Sequence, residues 1–215
     1  MATVTVKGMG SISVKPDLIR LDLDMQSRSK DCGEAMDHAE SGLDELRNVL
    51  EEVGFSRDAL RTASFDVHTE YESVPDENGN YRNVFKGYCC AHIMKLEFDL
   101  DTERLAQVLR AISTTEAAPQ LSVCFTVKDA ETVREELIRS SAANARRKAE
   151  LLCDASGVKL GRLMKISYDR SEMNFISEAR YSMDMRCLGV SAKSVSIEPD
   201  DIKLTDSAEF EWEIF

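Results

Sequence analysis

The stretch Ser140–Ile166, SSAANARRKAELLCDASGVKLGRLMKI, decides how the rest of the chain is read. It continues a stripe that begins upstream. Val133, Leu137, Ser141, Ala145, Ala149 and Leu152 advance by three or four positions, which keeps them on one side of an α-helix. Most of the stripe is small, and small side chains let a helix axis come close to a sheet. Arg146, Arg147 and Lys148 are each turned by about 100° from the last, so they point in different directions and do not converge on one ligand. Their expected role is solvation and pairing with neighbours such as Glu150. Gly157 permits the left-handed conformation that closes a helix, and Val158 can fold back over the last turn. The stretch is therefore a packed helix from about Ala130 to Ser156, followed by a strand in RLMKISYD, and not an active site.

Working outward, TVTVKGMGSISVKPDLIRLDLDMQSRS alternates apolar and polar residues and is broken by Gly8, Gly10 and Pro16, which predicts two strands. Ala35, Ala39, Leu43, Leu46 and Leu50 then recur at helical spacing, and Gly54 ends the element. Next, Ala63, Phe65, Val67, Thr69 and Tyr71 share one side of a strand, and Tyr88, Cys90, His92, Met94, Leu96 and Phe98 share one side of another. The turn-forming PDENGNYRN between them makes the pair a long projecting hairpin. Asp101 caps a helix carrying Leu105, Val108, Leu109 and Ile112, and Leu121, Val123, Phe125 and Val127 alternate in a following strand.

The segment 170–193 holds no sustained period and is expected to be a flexible loop, partly disordered. From Ser194 the chain reads as a strand, a connection and a terminal strand, in which Ala208, Phe210, Trp212 and Ile214 alternate with Glu209, Glu211 and Glu213. The fold class expected is α+β: an antiparallel or mixed sheet packed against helices, with the long hairpin projecting. It forms a single domain, 1–215, with two interleaved α/β lobes of about 1–100 and 101–215.

Composition narrows the function. With 27 Lys+Arg against 39 Asp+Glu, the formal charge of −12 repels polyanions, so nucleic acid is not an expected partner. No apolar run approaches the roughly 20 residues that span a bilayer, so membrane insertion is not expected. The opening MATVTVKGMG lacks the basic and apolar regions of a signal peptide, so the chain as given reads as cytoplasmic. A periplasmic or envelope location would follow if a signal segment had been removed.

Four segments, in order, carry a family resemblance. VTVKGMGSISVKPDLIRLDLDMQS has a Gly-x-Gly followed by Pro-Asp and an alternating strand. GFSRDALRTASFDVHTEYE has Gly-x-x-x-x-Asp-x-x-Thr leading into a long strand. FKGYCCAHIMKLEF is a Gly-Tyr strand, and AANARRKAELLCDASGVKLGRLMKI is an Ala-rich helix running through GVKLG to a strand. Together they resemble the SIMPL-domain family. The resemblance implies bacterial proteins of uncertain activity, some periplasmic and linked to oxidative-stress tolerance, with homo-oligomeric assembly. It carries over no catalytic residue and no cofactor. The missing signal peptide and the six cysteines depart from the commoner secreted form.

Candidate chemistry is sparse. In Cys89-Cys90-Ala91-His92, Cys90 and His92 share one strand face while Cys89 faces the other, so the local geometry offers at most two metal ligands. Met183, Met185 and Cys187, with Met173 nearby, form a soft-donor set suited to a cuprous ion, or else an apolar flap. The cysteines, which include Cys32, Cys124 and Cys153, sit mostly within apolar patterns and are expected to be buried thiols. Gly8-Met9-Gly10 lacks the third glycine and the helix of a dinucleotide fingerprint, and neither a P-loop, Gly-x-Ser-x-Gly nor His-Glu-x-x-His occurs. The leading expectation is a non-enzymatic, self-associating protein. The alternative is a soft-metal or redox-responsive protein using Cys90, His92, Met183, Met185 and Cys187. An enzyme would need residues gathered by folding.

Overall fold

The Ala-rich stripe is buried in the computed structural model, which describes residues 2–75, 80–169, 175–177, 181–184 (backbone only) and 199–215. Helix α3 spans Ala130–Ser156, opens on Asp129, whose side chain accepts from Thr132 N–H, and closes on Gly157 at φ 70°. Its buried residues are Val133, Leu137, Ser141, Ala145, Ala149 and Cys153. Leu152, expected in the stripe, is 50% exposed. A step of four from Ala149 keeps to the stripe's line better than a step of three.

The stripe seats on β1 (Ala2–Val14) and β8 (Ile202–Ile214), which pair antiparallel along their whole length, from Ala2 opposite Ile214 to Val14 opposite Ile202. Strand β6 (Leu160–Ser167) joins the other edge of β8, giving the order β1-β8-β6. Gly8 and Gly10 explain the small residues above them. A Cβ on Gly8 would collide with the Ser141 carbonyl oxygen and lie 2.7 Å from Ala145 Cβ, and one on Gly10 would collide with the Leu137 carbonyl. Helix and strand therefore meet backbone to backbone. The helix also meets the free edge of β1: Met9 N–H donates to Asn144 Oδ1 at 3.1 Å, and Lys148 Nζ donates to the Lys7 carbonyl at 3.2 Å. Arg146 pairs with Glu150 at 2.9 Å.

A second sheet has the order β3-β4-β2-β5-β7, from β2 (Leu18–Ser29), β3 (Leu60–Pro75), β4 (Tyr81–Asp99), β5 (Gln120–Thr126) and β7 (Tyr181–Asp184). Helices α1 (Cys32–Glu52) and α2 (Thr102–Ser113) cover one face of it, burying Ile19, Leu21, Leu23, Leu46, Leu96 and Val108 among others. Asp31 and Asp101 cap these helices through their carboxylates.

Among the described residues the chain thus builds two sheets with three α-helices, the α+β class expected. It divides into two compact units, one of Met1–Asp17, Thr126–Glu178 and Pro199–Phe215, the other of Leu18–Phe125 and Ala179–Glu198. That partition differs from a cut near residue 100, because β1 takes its partner from the far end of the chain. Within the segment expected to be a loop, 181–184 instead form β7, antiparallel to β5. Most of 170–193, and the strand expected from Ser194, lie outside the described residues.

Candidate functional site

The hairpin of β3 and β4 carries the chemistry, and its register decides what meets what. Two irregularities set that register. Ala63 is an extra residue between the pairs Thr62–Met94 and Ser64–Ile93, and Lys86 is extra between Glu70–Gly87 and Tyr71–Phe85. Ala63 therefore falls at a bulge and does not continue the row of Phe65 and Val67. The Gly87 φ of 155° fits the second bulge, where a Cβ would lie 2.5 Å from the Ser29 carbonyl.

On the helix-covered face lie Cys90 and His92, the two ligands expected from sequence. They share this face as expected, and both are buried. His92 Nε2 is 2.8 Å from Thr62 Oγ1, Phe65 meets the imidazole edge-on at 5.2 Å, and Nδ1 has no partner among the described residues. Burial, helped by the Arg47 charge, pushes the imidazole below its ordinary pKa. Burial pushes the Cys90 thiol up, with Cys32 adding to it. Met185 and Cys187, with Met173, lie outside the described residues, and Met183 is placed only by its backbone, opposite Leu121. Among the described cysteines, Cys89, Cys90, Cys124 and Cys153 are buried, Cys32 is half-buried, and all five are free thiols.

The opposite face gathers a group that sequence reasoning missed. His68, Cys89 and Arg28 stand in one row across three strands, since Cys89 is opposite His68 on β3 and opposite Arg28 on β2. Arg28 Nε donates to Glu70 at 2.9 Å and 3.1 Å to its two oxygens, and Arg28 Nη2 donates to Gln26 Oε1 at 2.6 Å. The Arg28 hydrogen bond holds the Glu70 carboxyl below the usual carboxylate range. His68 Nδ1 lies 3.0 Å from Asp66 Oδ2. Burial raises the pKa of the Cys89 thiol, Arg28 opposes the rise and Glu70 reinforces it. One donor atom each from His68, Glu70 and Cys89 lies within 4.8 Å of the others. The spacing of Asp66, His68 and Glu70 signals a shared strand face, but nothing local to the sequence places Cys89 beside them.

Farther along, the hairpin outruns its sheet. β4 pairs with β2 only from Tyr88 to Asp99, whereas Tyr81–Gly87 pairs with β3 alone. Tyr71, Phe85 and Tyr88 form an edge-to-face aromatic chain there, with centroids 6.0 and 5.3 Å apart. Tyr71 is 58% and Phe85 45% exposed. Strand β3, sixteen residues long, is also the terminal strand of its sheet.

The architecture is that of an α+β protein with exposed aromatic residues on an edge hairpin. The chain belongs to the SIMPL family: the model described as "SIMPL: Protein of unknown function (DUF541)" matches residues 4–212. It is similar to the 26 kDa periplasmic immunogenic protein of Brucella abortus, 27% identical over 169 residues that cover 77% of this chain and 66% of that protein. The protein of the same name from Brucella melitensis matches to the same extent, 27% over 169 residues. The match thus spans just under two thirds of the length of these curated relatives. No helix among the described residues is long and apolar enough to cross a membrane.

Proposed function

We propose that this is a non-enzymatic protein that works by self-association, its β3–β4 hairpin pairing with another copy. The observation behind this is the contrast between two sheet edges. The edge of β1 meets Asn144 and Lys148, whereas β3 ends its sheet, and the hairpin it forms with β4 carries exposed Tyr71 on β3 and Phe85 on β4. Unpaired strand edges recruit further strands, and exposed aromatic residues add apolar area to such contacts. This reading extends to an assembly role in the bacterial envelope with a contribution to oxidative-stress tolerance; the likeness to periplasmic proteins of Brucella supports the envelope part.

Two features among the described residues bear on an enzyme reading. An open groove of about 680 Å³ near the start of β3 mixes Asp58, Arg61, Lys95 and Glu97. Thr62 beside it does meet His92, but burial lowers the basicity of that imidazole and no carboxylate orients its Nδ1 among the described residues.

Light scattering over a range of concentrations tests the proposal. The native protein should exceed the monomer mass, and Tyr71→Lys with Phe85→Lys should lower it while leaving circular dichroism unchanged. A native protein that stays monomeric at high concentration overturns it.

A further inference from the structure

We infer that His68, Glu70 and Cys89 form a binding site for a zinc-class divalent cation on the face of the hairpin away from the helices. Their donor atoms lie within 4.8 Å of one another, a span that a single ion can bridge with small side-chain shifts. The donor set of imidazole, carboxylate and thiolate is the borderline mixture that zinc takes, while magnesium and calcium prefer oxygen alone. Three protein donors leave a fourth position to water.

The groups behind the donors strengthen the case. Asp66 takes the Nδ1–H of His68, which leaves the lone pair on Nε2, the arrangement by which carboxylates prepare metal-binding imidazoles. Arg28 orients Glu70 in the same way. On binding, the ion takes the place of the Cys89 thiol proton, which passes to solvent, and the sulfur and the Glu70 carboxylate both bond to the metal. Arg28 and Lys86 bring positive charge close by; Asp24, Asp66, Glu70 and the thiolate outweigh it. The inference does not rest on self-association.

Cobalt(II) is the probe, because a cysteine ligand adds a sulfur-to-metal charge-transfer band to the visible bands of tetrahedral cobalt. Titration of the full chain, purified without chelator, should give both at one equivalent. Cys89→Ser should abolish the charge-transfer band and His68→Gln should weaken binding, while Cys90→Ser on the other face should leave both intact. Asp66→Asn should weaken binding by roughly 10–100-fold. No charge-transfer band in the native protein, or a band that survives Cys89→Ser, overturns the site. If Cys89→Ser does not fold, His68→Gln decides alone, since that side chain is 49% exposed and unimportant to the core; unchanged cobalt affinity then overturns it. Particle mass measured on the same samples keeps this outcome separate from that of assembly.

Discussion

A methyl group at Gly8 has nowhere to go, because the Ser141 carbonyl and the Ala145 side chain already occupy its place. Strand and helix must part to admit it, and overpacking of this kind costs about 1–3 kcal/mol. Gly8→Ala should therefore lower the urea midpoint, and Ser141→Gly should not rescue it, since the obstructing atom is backbone. His92 offers a second test at this scale. The folded protein keeps the imidazole below its ordinary pKa of 6.5, so as pH falls through that value the unfolded chain binds a proton that the folded one refuses. The unfolded state then holds more protons, and stability falls with acidification until the folded imidazole also titrates. Above pH 6.5 the term is flat. His92→Gln should flatten the pH dependence of unfolding free energy between neutrality and mild acid, a slope of at most about 1.4 kcal/mol per pH unit. An unchanged slope in denaturant titrations would show that His92 titrates alike in both states.

Element boundaries were legible where a local rule fixes them. α3 runs from Ala130 to Ser156 as its stripe and Gly157 predict, and the alternation of Phe210 and Trp212 with glutamates marks β8. The helix terminus can be tested directly: Gly157 sits at φ 70°, so Gly157→Ala should cost roughly 1–2 kcal/mol and lower the melting temperature. What escaped the sequence was pairing. Nothing near Val4 says that its partner is Trp212, so the pairing of β1 with β8 has no local signature. The candidate metal group was hidden for a related reason. Cys89 meets His68 because two extra residues, Lys86 on β4 and Ala63 on β3, bound the stretch in which they pair, and a residue that carries a bulge leaves little trace in an apolar pattern. Same-strand geometry placed Cys90 beside His92; cross-strand geometry placed Cys89 in better company for a metal.

Across the whole molecule, one sheet is built largely from neighbours in sequence and the other from the two ends of the chain. β2, β3, β4 and β5 lie within Leu18–Phe125, whereas β1 pairs along its length with β8. The consequence falls on synthesis. Nearly the entire polypeptide separates Val14 from its partner Ile202, and at about 5–20 residues per second a ribosome would keep β1 waiting roughly 10–40 s. During that interval the nascent β1 has no β8 to lie against, while the hairpin and helices behind it are ready to close. Protease digestion of stalled nascent chains should find Leu18–Phe125 resistant while Ala2–Val14 is still cut, and β1 should become protected only after β8 has emerged. A chaperone that holds extended apolar segments would therefore find its target in β1.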